Sequence, residues 1–138
     1  AGGFVAGLDA GMGYNTWPLM DGQLVPKGLL IMEPWWRNLF ENAMTVQFDH
    51  RMLAYVILVV AVVHAWQSCT LASLAILYIL FVQAMIGIMA VVLQVPFALA
   101  LTHQAGAMLA VAAAVWNLHR QLRDMPGKLE IQSPLIAA

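Results

Sequence analysis

Three runs of apolar residues dominate the chain, Ala43 to Trp66, Thr70 to Leu93 and Phe97 to Arg120. A helix rises about 1.5 Å per residue, so about 20 residues cross the hydrocarbon core of a bilayer. Each run is long enough, and between Arg51 and Arg120 there is no Asp, Glu, Lys or Arg. The pattern therefore predicts three transmembrane helices. The turns between them are Gln67 to Cys69 and Gln94 to Pro96. Proline there stops one helix and opens the next, and turns this short force antiparallel neighbours. Before the first run, residues 1–10 read as the end of a further helix; they lack the basic n-region of a signal peptide, so the chain reads as a fragment of a longer protein. Residues 11–42 carry Pro18, Pro26, Pro34, several glycines and the pair Trp35 and Trp36. They predict an irregular loop at the membrane surface, long enough to act as a lid. Residues 124–138, with Pro126, Gly127 and Pro134, predict a loose tail. The expected fold is all-α and integral to the membrane: one domain, an antiparallel transmembrane helix bundle of three complete helices plus the end of a fourth.

Composition sharpens this picture. The chain is 62% hydrophobic and only 9% charged, where soluble domains average about a quarter charged. A mean hydropathy of +0.80 leaves a surface that needs lipid. Net charge of -1 provides no basic patch, which excludes a nucleic-acid partner. Cys69 is the only cysteine, so neither an internal disulfide, a zinc cluster nor a C-x-x-C-H haem attachment is possible. Lys27, Arg37 and Arg51 lie toward the long-loop side and Arg120, Arg123 and Lys128 toward the other, so charge does not decide orientation.

Against this background His50 and His103 stand out, because an ionisable side chain within a membrane helix is costly and usually faces the bundle interior. The first and third helices run in the same direction. His50 is seven residues past Ala43 and His103 six past Phe97, which places both about 10 Å below the same face. Two imidazoles at one depth can hold one haem iron as axial ligands. Gly106, Ala107 and Ala110 share the face of His103, and Ala54 that of His50, giving clearance for a flat macrocycle. Arg51 is placed to pair with a haem propionate, unless Asp49 neutralises it. The competing reading makes the histidines hydrogen-bonding helix contacts. His64 and His119 lie toward the opposite face, but at ~100° per residue they turn to different sides relative to the first pair. The methionines, the aromatic residues and the Gln83 and Gly87 stripe read as packing.

Four strings carry a resemblance: GLDAGMGYNTWPLM from Gly7 to Met20, RNLFEN at 37–42, VQFDHR at 46–51 and LTHQAG at 101–106. In this order they resemble the haem A synthase family, and the loop is similar to that of alphaproteobacterial and mitochondrial members. The resemblance implies an eight-helix protein of the bacterial plasma membrane or mitochondrial inner membrane, built from two similar four-helix halves, of which this chain is the second. It implies oxidation of the C8 methyl of haem O, through alcohol and diol stages, to the formyl of haem A for cytochrome c oxidase. It further implies that His50 and His103 ligate a b-type haem, with haem O bound as substrate in the other half. Haem O synthase and oxidase assembly factors are implied partners, and a homo-oligomer is compatible with it. The family's catalytic glutamate, three residues before the first histidine of the other half, corresponds here to Gln47. A neutral amide cannot act as general base, so no catalytic residue is expected in this segment. The cysteine pair often found in this loop is missing, and the resemblance places the loop outside and the tail in cytoplasm or matrix. Two other classes stay open: a di-haem b-type electron carrier using His50/His103 and His64/His119, and a cofactor-free membrane scaffold.

Overall fold

The computed structural model describes residues 1–124. Six helices follow in order: α1 (Gly2–Gly7), α2 (Ala10–Gly13), α3 (Asn38–Glu41), α4 (Ala43–Ser68), α5 (Leu71–Val92) and α6 (Phe97–Asp124), with a 3-10 turn at Trp35–Arg37 leading into α3. Helices α4, α5 and α6 are long and apolar enough to cross a membrane, and the protein is an integral membrane helical bundle. Helix α5 packs against both of the others. The expected tail lies outside the described residues, apart from Asp124, the last described residue of α6.

Local chemistry sets the helix boundaries. Asn42 caps α4, its Oδ1 accepting from the amides of Met44 and Thr45 at 3.0 and 3.3 Å. The helix closes on Cys69, which takes a left-handed φ of 47° and donates its N–H to Ala65. This runs two residues past the expected end at Trp66, because Gln67 and Ser68 tolerate helix and Cys69 supplies the reversal. Thr70 and Ser73 form a reciprocal capping box that starts α5. Helix α6 begins after Pro96 and outruns its expected end at Arg120, since nothing from Gln121 to Asp124 interrupts it before Pro126.

Where the helices meet, small side chains are buried: Ala61 and Ala65 on α4, Ala90 on α5 and Ala110 on α6. Small residues let backbones approach in a setting where hydrophobic burial against lipid gains little. Val59, Phe81 and Leu109 instead point outward, which suits hydrocarbon surroundings.

The first segment differs from expectation. A single helix end at residues 1–10 is replaced by α1 and α2, broken at Asp9, whose φ is 47°. The region expected as loop therefore starts with a helical turn. Its remainder is ordered by polar groups. Asp21 and Gly22 both have positive φ and turn the chain so that Met20 and Gln23 exchange backbone bonds of 2.9 and 3.1 Å. Asn38, fully buried, accepts from the Met32 amide and donates to the carbonyls of Met32 and Trp35. Asn42 then bridges Asn38 Oδ1 and the Gly28 carbonyl. Two amides thus satisfy a loop that has little apolar core. On its surface the Glu41 carboxylate accepts from Arg37. This bond holds Glu41 below and Arg37 above their ordinary pKa values.

Candidate functional site

His50 sits two turns into α4 and His103 two turns into α6, both toward the end that carries the long loop. Their imidazole centroids are 6.2 Å apart and their planes cross at 89°. A metal–imidazole bond is about 2.0 Å and half a ring adds about 1 Å, so two rings sharing one metal hold their centroids roughly 6 Å apart. The spacing fits. Among the described residues no three His, Cys, Asp or Glu gather as a cage for a bare ion. A haem would need no such cage and could be held by His50 and His103 alone.

His103 lies in a fitted seat on α5. A Cβ on Gly87 would stand 2.7 Å from its Cε1 and 3.3 Å from each ring nitrogen, so only glycine admits the ring at this approach. Gln83, one turn away on the same face, places its Nε2 3.0 Å from His103 Nδ1 and donates to the His103 main-chain carbonyl. Gly106 on α6 makes room for that carboxamide, since a Cβ there would come 3.2 Å from Gln83 Cδ. The expected close contact at Gln83 and Gly87 is present, but its hydrogen bond to a histidine was not anticipated. Antiparallel depth shows only that Gln83, Gly87 and His103 share a level. Counting inward from Val92 puts Gly87 about 8 Å and Gln83 about 14 Å deep, bracketing His103 at about 9 Å from Phe97.

His50 is approached by α1, where a Cβ on Gly2 would meet its Cε1 at 3.7 Å. One turn earlier, Gln47 is 1% exposed; its Nε2 donates to the Tyr14 carbonyl at 3.2 Å. Its Oε1 is buried and has no hydrogen-bond partner among the described residues. An orphaned acceptor of this kind costs about 1–3 kcal/mol and calls for a donor from water or a ligand.

Arg51 is held by main-chain carbonyls of the loop. Its Nη2 donates to the Tyr14 carbonyl at 2.9 Å and its Nη1 to those of Thr16 and Leu19 at 2.9 and 3.5 Å. Asp49 does not neutralise it: among the described residues the one ion pair is Arg37 with Glu41. Trp17 Nε1 donates to Tyr55 Oη at 3.1 Å, and Asn15 Nδ2 to the Val91 carbonyl at 3.0 Å. Residues 14–19 are therefore strapped across α4 beside His50 and tied to the end of α5. Arg51→Leu is expected to release this strap. Charged hydrogen bonds contribute roughly 1.5–3 kcal/mol each, so amide exchange across residues 14–19 should accelerate roughly tenfold or more, while α5 and α6 stay protected.

In the other half of the bundle His64 bonds Ser68 through Nδ1 and Asn117 through Nε2, each at 3.3 Å. It links α4 to α6 with both nitrogens engaged. His119 is exposed and shares a surface with Met108 and Trp116, on another side of α6. The structure brings the first histidine pair together and not the second.

Comparison with known proteins adds the following. Residues 1–115 match the family model described as cytochrome oxidase assembly protein. The chain is 48% identical over 122 residues to the proteins named Heme A synthase of Brucella ovis, Brucella melitensis and Brucella anthropi. In each case 83% of this chain is aligned with 34% of the relative, so it spans about a third of their length. No solved structure matches.

Proposed function

The chain belongs to the cytochrome oxidase assembly protein (COX15-CtaA) family, and from that premise we propose that it is the carboxy-terminal part of a haem A synthase that holds a b-type haem between His50 and His103. The observation that carries the reading is the 6.2 Å separation of the two imidazoles. The protein is integral to the plasma membrane, as its three spanning helices and its bacterial relatives support. In the parent enzyme the substrate is haem O, oxidised at its C8 methyl to the formyl of haem A. When bound, the haem of this part supplies one-electron chemistry at its iron.

The residues of this chain then have separable tasks. His50 and His103 hold the group from two helices that run in the same direction. Arg51 has five N–H donors, of which the strap occupies only part; a propionate is the acceptor we assign to the rest. The strap of residues 14–19 limits water at that edge, which strengthens the polar contacts beneath it. Gln47 acts as a hydrogen-bonding anchor and not as a base, because its amide nitrogen is engaged by Tyr14 and an amide does not titrate.

Titrating the detergent-purified protein with haem tests the reading. One six-coordinate, low-spin haem per chain is the expected result. Two haems per chain would instead favour a di-haem carrier, and no change in the Soret band would leave the histidines as helix contacts.

A further inference from the structure

We infer that Gln83 is the positioning residue for His103: its carboxamide, seated between Gly106 and the imidazole, selects which ring nitrogen His103 offers to haem iron. The inference rests on the haem reading above and deepens it. An imidazole that gives one nitrogen to a metal carries its proton on the other, and the partner of that second nitrogen fixes both the proton and the ring's rotation. At Nδ1 of His103 that partner is Gln83, 3.0 Å away.

Three features keep the carboxamide at this place. Its nitrogen also donates to the main-chain carbonyl of His103, so the amide is tied to the residue it addresses. Gly106 lacks the Cβ that would strike the amide. Gly87, four residues after Gln83 and hence on the same face of α5, lets the ring come close enough to be reached. The two helices are mutually keyed, a histidine from α6 over a glycine of α5 and a glutamine from α5 over a glycine of α6.

A carboxamide has two ends, and this gives Gln83 its role. Its nitrogen end, which faces Nδ1 here, leaves the ring proton on Nε2. Its oxygen end would hold the proton on Nδ1 and leave the Nε2 lone pair free for a metal. A rotation about one bond of the Gln83 side chain exchanges the two ends, at the cost of the bond to the His103 carbonyl. Glutamine supplies either contact without placing a charge within the bilayer.

The test uses the whole chain loaded with haem b and three variants, Q83L, Q83E and G106A, with haem affinity and midpoint potential as readouts. Q83L is expected to stay six-coordinate, to bind haem about 10- to 100-fold more weakly, and to shift to a higher potential as Nδ1–H loses its acceptor. Q83E is expected to shift the potential the other way, because a carboxylate acceptor gives the ring more negative character. G106A keeps the glutamine but displaces its amide, and should move in the same direction as Q83L. A contact that matters only for packing would weaken binding while leaving the potential where it was. Unchanged potentials in haem-loaded Q83L and G106A, or a downward shift in both, overturn the inference even if Q83E does not fold. Failure of the unaltered chain to take up haem is a different result, which overturns the haem reading and this inference with it.

Discussion

On the proposed ligation, replacing either His50 or His103 by alanine is expected to remove the six-coordinate low-spin spectrum and most of the bound haem. The two ring centroids stand 6.2 Å apart on separate helices, and among the described residues no other imidazole joins the pair. The loss should exceed the roughly 10- to 100-fold typical of an outer-shell partner, because an axial bond itself disappears. Free imidazole separates ligation from folding. Added to a His→Gly variant, it is expected to restore the six-coordinate spectrum, since the cavity left by the side chain accepts a ring of the same size. A variant that keeps both its spectrum and its haem content without imidazole would refute the assignment of that histidine. His64→Ala serves as the internal comparison, because its nitrogens are engaged by Ser68 and Asn117. It should leave the spectrum intact.

Gly87→Ala is the smallest change expected to have a comparable consequence. One methyl group would enter within 2.7 Å of His103 Cε1 and 3.3 Å of both ring nitrogens. The ring is hemmed from Nδ1 by Gln83, so relief requires the ring to swing or α6 to move away from α5. Overpacking of this sort costs about 1–3 kcal/mol. Either route changes the imidazole spacing on which joint ligation depends. Lower haem occupancy and a lower melting temperature are expected together. Gly3→Ala is the control, since a Cβ at Gly3 meets nothing within 4 Å. Equal haem occupancy in Gly87→Ala and the unaltered chain would show that the seat is not needed.

Much of this was legible in the sequence, and the reasons differ by residue. The three spans follow from apolar length, and the matched depth of His50 and His103 follows from two short turns and the rise of a helix. Neither requires knowledge of how each helix is rotated about its axis. Gln83 requires that knowledge. Gln83 and Gly87 mark one face of α5, but the apolar residues around the rest of the helix leave open whether that face meets α4 or α6. The carbonyl contacts of Arg51 were not legible for a related reason. Its sequence neighbours suggested charged partners, whereas its acceptors are carbonyls 32 to 37 positions earlier in the chain. Backbone acceptors leave no trace in side-chain identity. The loop was recognised as irregular from its prolines and glycines, but its order comes from Asn38 and Asn42, two amides indistinguishable in sequence from ordinary surface residues.

The mutual keying of α5 and α6 has a bearing on how the molecule is put together. Gly87, Gln83, His103 and Gly106 all belong to one hairpin whose two members are consecutive and joined by a tight turn. One ligand of the pair can therefore acquire its seat, its orientation and its hydrogen-bond partner as soon as the hairpin has entered the bilayer, before α4 is in register. His50 depends instead on the packing of α4 and on the strap held by Arg51. On the proposed ligation, capture of the haem by both histidines would be a checkpoint on assembly, since it needs all three spans correctly placed.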